Sequence, residues 1–346
     1  MKIIIAGAYA IGTHLARLLS RSKEDITLID DSEERLASIG SDYDLLTMLG
    51  QPTSLKILQN ADIQDTDLFI AVTPLESKNI TSCILAKKLG AKRTVAKVDN
   101  PEYMDQQAQD FFRELGIDKL IYPEMLAAVD INNGLKMSWV RQRWDVHDGA
   151  LIMLGIKLRE TCEILNKPLK DISGPNDPYH VVAIKRGSET IIPGGYDELK
   201  LYDLAYFMTT RNYIPYIRKI VGKEHYVDVK NVMVMGGGRT AVRAVKKMPE
   251  YMETKIIEID EHRCEYLNDI LDDRKTLIIH GDGRDIPLLT EEGIRSTQAF
   301  VALTGNAETN ILACLTAKRL GVRKTVAAVE NVDYVSMAES LDIGTI

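Results

Sequence analysis

Apolar runs of four or five residues alternate along this chain with segments whose apolar positions recur at helical spacing. Lys2-Ile-Ile-Ile-Ala6 is the first run and reads as a strand. It opens into Gly7-Ala-Tyr-Ala-Ile-Gly12, after which Leu15, Leu18 and Leu19 share one helical face. Asp25-Ile-Thr-Leu-Ile29 reads as the next strand and closes on Asp30. Asp44 to Leu49, Leu68 to Val72 and Thr94 to Val98 supply three more. Helices are expected near Ser32 to Arg35, Thr53 to Asn60 and Asn79 to Leu89. Strands alternating with helices at this spacing predict a parallel sheet with right-handed crossovers and ligands at the strands' carboxyl ends.

The pattern then repeats. Shifted by 231 positions, Asp67 to Met104 matches Gln298 to Val335 at sixteen of thirty-eight positions, including Phe69/Phe300, Thr73/Thr304, Asn79/Asn310 and Gly90/Gly321. Gly50 pairs with Gly281 at that shift, Asp30 with Asp260 at 230 and Gly7 with Gly236 at 229, so the offsets drift with loop length. A duplicated domain is expected at 1–121 and 229–346. The material between is different. A helix from Tyr122 to Trp139, beginning at Pro123, is expected to leave its own domain for a neighbour, within a crossover segment 122–145. From 146 to 224 the chain shows short strands and turns: Ala150 to Leu158, Tyr179 to Lys185, a turn at Gly187-Ser188, Thr190 to Gly195, and Leu204 to Thr209 after Asp203. The predicted architecture is α/β: two tandem Rossmann-like, doubly wound parallel-sheet domains with a small α+β module between them.

At 346 residues the chain can hold two or three domains with cores of their own. A net charge of −7 argues against a broad nucleic-acid footprint. No apolar run approaches the roughly 18 residues a membrane span requires, so direct membrane insertion is not expected. Cys83, Cys162, Cys264 and Cys314 form no C-x-x-C pair, which suits core packing in a reducing cytoplasm. The six histidines show no paired ligand spacing, so no metal site is expected.

Candidate chemistry gathers at the two glycine turns. Each follows a strand and opens a helix, so backbone can approach a pyrophosphate while helix N–H groups face it. In the first copy the candidates are Gly7, Ala8, Tyr9, Ala10, Ile11 and Gly12, with Asp30 placed for ribose hydroxyls. A carboxylate there disfavours a 2′-phosphate, so NAD-type or adenosine nucleotides are preferred to NADP. Tyr9 stands where phosphate would meet backbone; either its ring swings to solvent or binding is weakened. Thr73-Pro74 offers a hydroxyl to ligand or caps a helix, and Lys97 faces either phosphate or solvent. In the second copy the candidates are Gly236, Gly237, Gly238, Arg239, Thr240, Asp260, Asp282, Gly283 and Thr304, with Arg239 aimed at phosphate or at water. Trp139 and Trp144 beside Arg141 and Arg143 are either an interface patch or buried under the small module. No proton-transfer group is recognisable in the short middle module, so no catalytic residue is assigned and the nucleotide reads as an effector. An NAD-dependent oxidoreductase, or a nucleotide sensor with a soluble partner, are the alternatives.

The domain–module–domain order resembles the Trk-type potassium-uptake regulatory subunit of the RCK nucleotide-binding family. Lys2-Ile-Ile-Ile-Ala-Gly with Leu28-Ile-Asp30, Ala71-Val-Thr73 with Asn79, and Ala86-Lys-Lys-Leu-Gly90 carry the likeness, and Gly281-Asp-Gly283 with Ala302-Leu-Thr304 repeats it. Lys167-Pro-Leu169, Ile191-Ile-Pro-Gly194 and the Asp203 turn are similar to the family's C subdomain. The resemblance implies NAD(H) or ATP/ADP as effector. It also implies a homodimer or tetramer on the cytoplasmic face of a membrane potassium channel or transporter subunit, gated by the nucleotide. Tyr9 and Gln51 depart from the family pattern. A second C module is expected after Ile346, so the chain reads as truncated or as a naturally short subunit.

Overall fold

The computed structural model describes residues 1–22, 24–39, 43–147, 149–174, 177–187, 189–226, 229–271, 274–330 and 332–346. The chain divides into two compact units, Met1–Leu126 with Val329–Ser336, and Ala127–Ala328 with Met337–Ile346.

The first unit is built on β1 (Lys2–Ala6), α1 (Ala10–Ser20), β2 (Asp25–Asp30), α2 (Glu33–Ala37), β3 (Leu46–Leu49), α3 (Leu55–Asn60), β4 (Leu68–Ala71), α4 (Glu76–Lys88), β5 (Arg93–Lys97), α5 (Gln106–Glu114) and β6 (Lys119–Ile121). Its strands pair in the order β3-β2-β1-β4-β5-β6, all parallel. Successive β1 side chains enter opposite cores: Ile4 and Ala6 pack with Phe69, Cys83 and Ala86, and Ile3 and Ile5 with Ala16, Ile26 and Leu28. Period-two alternation thus sends a continuous apolar run to both faces, as a sheet covered by helices on each side requires. The order reverses between β1 and β4, which leaves a crevice at their carboxyl ends. The edge strand β6 is not apparent in the sequence, because three residues beginning with Lys119 carry no pattern.

The second unit begins within α6 (Pro123–Lys136). Ala128, Ile131 and Leu135 are buried in the core of the second parallel sheet, and Asn132 Nδ2 donates to Ala128 O and Ala244 O, both at 2.9 Å. The helix expected to leave its own domain for a neighbour thus gives these residues to the core of the second sheet. An antiparallel sheet follows, ordered β10-β9-β11-β8-β7. It contains β7 (Gln142–Val146), β8 (Leu151–Lys157), α7 (Leu169–Ile172), β9 (Tyr179–Arg186), β10 (Glu189–Ile191), β11 (Leu204–Thr209) and α8 (Ile214–Ile220). Gly187 lies in the turn between β9 and β10, and Ser188 lies outside the described residues. Because β7 pairs with β8 from Gln142, this module starts ahead of the expected residue 146. Trp139 is buried in its core and Trp144 is exposed.

The second parallel sheet comprises β12 (Asn231–Met235), α9 (Arg239–Lys246), β13 (Glu253–Glu258), α10 (Glu261–Ile270), β14 (Thr276–His280), α11 (Ile286–Glu291), β15 (Ala299–Ala302), α12 (Ala307–Arg319), β16 (Lys324–Ala327), α13 (Val332–Ser340) and β17 (Gly344–Thr345). The strand order β14-β13-β12-β15-β16-β17 is that of the first sheet. The duplicated, doubly wound architecture with an α+β module between the copies is as the sequence predicts. Cys83 and Cys314 occupy matched positions, each thiol 3.4 Å from a carbonyl, of Val95 and of Val326. Burial pushes both thiols up, Cys314 to about 12, which fits packing rather than reactivity.

Candidate functional site

Each glycine turn sits at the carboxyl end of its central strand, β1 or β12. Gly7 and Gly236 have φ of +112° and +94°, a backbone region that favours glycine. A methyl group on Gly12 would lie 1.7 Å from Gly7 O, so the first turn closes only over glycine. Ala241 holds the equivalent position in the second copy, fully buried. Tyr9 and Gly238 are the N-caps of α1 and α9, and neither supplies a side-chain acceptor. Ala10 and Ile11 in α1, and Arg239 and Thr240 in α9, form the first helical turns, whose N–H groups suit an anion. Arg239 is the first residue of α9.

Asp30 ends β2 and is only 3% exposed. Its Oδ2 accepts the Ala8 N–H at 2.6 Å; its Oδ1 accepts the Ser32 N–H and Arg35 Nε, both at 2.9 Å. The second copy repeats this arrangement with Glu258. There Oε2 accepts the Gly237 N–H at 2.6 Å and Oε1 accepts the Asp260 N–H at 3.0 Å. The pairing of Asp30 with Asp260 is thus corrected by the strand register, which sets Ile29 opposite Ala6 and Ile257 opposite Met235. Asp260 is the N-cap of α10, its carboxylate accepting the Arg263 N–H at 2.8 Å, the part Ser32 plays for α2. Glu258 escapes a sequence search because a glutamate two residues before an aspartate looks like one more strand-end charge. Only the pairing register separates them.

The rims differ. In the first copy the Arg35 guanidinium lies 4.3 Å over the Tyr9 ring, which is 39% exposed. Asp31 accepts from Gln51 Nε2 at 2.9 Å and from Lys78 Nζ at 3.0 Å, joining the end of β2 to α4 across the mouth. The Lys78 ammonium, with Arg35, holds the Asp31 carboxyl below its usual range. Gly7, Tyr9, Asp30, Pro52, Thr73 and Pro74 surround a cavity of about 60 Å³ behind that bridge. In the second copy nothing lies within 4 Å of a methyl group placed on Gly238, so its turn is open. Asp282 there pairs with Arg284 at 2.7 Å, which lowers its carboxyl, and Gly283 leaves room for the Met235 side chain. Arg263, the counterpart of Arg35, donates from Nε to Gly237 O at 2.8 Å.

Thr73 and Thr304 have a role that neither reading of the sequence proposed. Asn79 Oδ1 accepts from the Thr73 N–H at 2.8 Å and from its hydroxyl at 2.7 Å, while Nδ2 donates to Thr73 O and Lys97 O. Asn310 makes the same four bonds to Thr304 and Ala328. The N-cap of α4 is Leu75 instead. Each asparagine ties together the ends of two adjacent strands behind the crevice, and the repeated Thr and Asn are signatures of that clasp. Asn79→Ala leaves buried backbone groups unpaired and is expected to cost about 2 kcal/mol of stability, read from urea unfolding. Lys97 is engaged by Asp99 at 2.7 Å, so contact with a phosphate would require it to leave that carboxylate. Among the described residues no cluster of His, Cys, Asp or Glu is arranged to hold a metal ion, and no helix is long and apolar enough to cross a membrane.

The family model described as the TrkA-N domain matches residues 3–123 and 232–346. The Trk system potassium uptake protein TrkA of Haemophilus influenzae is 30% identical over 345 residues, covering 98% of this chain and 74% of the relative. The TrkA homolog of Archaeoglobus fulgidus is 29% identical over 344 residues, covering 99% of this chain and 77% of the relative. Among solved structures, the GsuK RCK domain matches with a TM-score of 0.71 at 15% identity, over 99% of this chain and 72% of that one. The GsuK channel bound to NAD matches with a TM-score of 0.72 at 15% identity, over 99% of this chain and 60% of that one. Likeness at that identity speaks for the fold alone. The matched stretches take in both parallel-sheet domains and the sequence likeness runs through the module between them: the chain belongs to the TrkA-N domain family and carries that domain twice.

Proposed function

We propose that the chain is a nucleotide-sensing regulatory subunit of a potassium uptake system, with NAD(H) or an adenine nucleotide as effector. The observation that carries this reading is the carboxylate bonded to a glycine-turn amide at the topological switch point, present in both sheets. The residues fit such a ligand. Gly7 and Gly236 give the turn its backbone conformation, the first turns of α1 and α9 present N–H groups to the pyrophosphate, and Asp30 and Glu258 stand at the ribose. The reading is supported by a relative named as a potassium uptake protein and by a neighbour of the same fold, a channel bound to NAD. The nucleotide acts here by binding: it favours one arrangement of the protein by its differential affinity for two, and that bias reaches a membrane potassium-translocating subunit. Homodimers or tetramers on the cytoplasmic face of that partner are part of the proposal.

The test is threefold. Calorimetric titration with NADH and with ATP is expected to give saturable binding. Incubation with NADH and a panel of carbonyl compounds is expected to give no turnover. Potassium flux through the partner in proteoliposomes is expected to change when the subunit and nucleotide are added together. Steady NADH oxidation would replace this reading with an oxidoreductase, and flux indifferent to the subunit would remove the partner.

A further inference from the structure

Apart from its glycine turn, the second unit concentrates positive charge around Asp342. Arg141 precedes β7, Lys157 ends β8, Arg159 follows it, and Lys318 lies on α12. Arg141 donates from Nη1 to Asp342 O at 3.1 Å and also meets the Asp342 carboxylate. Arg159 Nη2 lies 3.3 Å from Asp342 Oδ2, and Lys318 Nζ donates to the Leu341 and Asp342 carbonyls, both at 3.0 Å. The Lys157 side chain makes no hydrogen bond or ion pair among the described residues, and the charges around it are Arg159, Arg141, Asp203 and Lys185. The flanking pairs are already balanced one to one, Lys185 with Glu339 at 2.8 Å and Arg186 with Asp203 at 2.7 Å. Arg141, Arg159 and Lys318 therefore share Asp342, and Lys157 stands beside the two guanidiniums.

Asp342 itself is out of place. Its φ is +64°, and the matching position after α5 in the first copy is Gly116, at +98°. In both copies that residue's N–H returns to the helix, to Arg113 O and to Glu339 O, and the next N–H goes to Phe112 O and to Ala338 O. A helix-ending turn of this hand favours glycine. The second copy holds a carboxylate there instead, directed at the cations. Burial, with help from the neighbouring guanidiniums, lowers Lys157 and Lys318 and brings Arg141 to about 10, while Asp203 acts against it at Lys157 and Glu339 at Arg141.

We propose that Arg141, Lys157, Arg159 and Lys318 form a binding site for a small polyphosphate anion, and that Asp342 is a tethered competitor which the ligand displaces. Two guanidinium forks and two ammonium groups match the oxygen count and charge of a diphosphate better than they match one carboxylate. The site shares no residue with the nucleotide crevices and does not depend on what they bind.

The probe is inorganic pyrophosphate, titrated calorimetrically into the full chain at fixed ionic strength. Asp342→Gly suits the backbone and removes the competitor, so affinity is expected to rise at least tenfold. Lys157→Ala and Arg159→Ala are expected to lower it at least tenfold, with circular dichroism confirming folding. NADH binding is expected to stay unchanged in all three, which separates this site from the crevices. Pyrophosphate affinity that ignores Asp342→Gly, or that sulfate abolishes at equal ionic strength, would overturn the proposal. So would binding to phosphatidylglycerol vesicles without binding to soluble pyrophosphate.

Discussion

Asp30→Ala is expected to weaken nucleotide binding at the first crevice by about a hundredfold, while leaving the second crevice intact. A carboxylate already fixed by the Ala8 and Ser32 amides meets a ribose without reorganising, and charged hydrogen bonds of this kind contribute about 1.5–3 kcal/mol. Glu258→Ala is expected to do the same at the second crevice. Asp260→Ala is the informative control: it removes the α10 cap, at about 1 kcal/mol of stability, and leaves affinity unchanged. Labelled NADH titrated into the three variants, with thermal unfolding in parallel, checks all of this. Loss of affinity in Asp260→Ala together with normal affinity in Glu258→Ala would reverse the assignment.

Lys324→Met is expected to stabilise the protein by about 3 kcal/mol at pH 7 and to flatten its stability profile in alkali. Lys324 opens β16, and among the described residues its Nζ donates to Val140 O alone, at 3.0 Å. Burial, with Arg141 adding repulsion, lowers the ammonium to about 7. Below that pH both folded and unfolded chains carry the proton, so the group adds no pH dependence. From about 7 to the ordinary lysine value of 10.5 the unfolded chain holds a proton that the folded chain has released, and stability therefore rises with pH. Methionine fills a similar volume without the charge, at the loss of one hydrogen bond. Urea unfolding of both proteins from pH 6.5 to 10 reads the effect; parallel profiles would show that Lys324 finds compensation.

Lys324 also shows where the sequence falls silent. Its counterpart in the first copy is Arg93, exposed at the start of β5, and nothing in the repeat distinguishes the two. Whether a strand-opening cation meets water or the carbonyl of Val140 depends on packing far along the chain. Apolar runs such as Ile3 to Ala6 declared themselves, because their side chains feed two cores at once. The glycine turns and Asp30 were legible for a similar reason, since backbone conformation and spacing are local properties. Glu258, Lys78 and Arg35 were not, because their roles arise from register and from partners reached across a crevice. Asn79 was visible as a repeated residue while its four bonds were not.

Those asparagine clasps bear on how the two halves can diverge. They sit behind the crevices and are identical in both copies, whereas the rims have changed freely: Tyr9 against Gly238, Gln51 against Asp282, Lys97 against Ala328. A chassis locked from behind leaves the front open to exchange, so ligand preference in one half can drift while its twin and the shared folding pattern stay as they were. Gene duplication here has yielded two instruments that can be retuned one at a time.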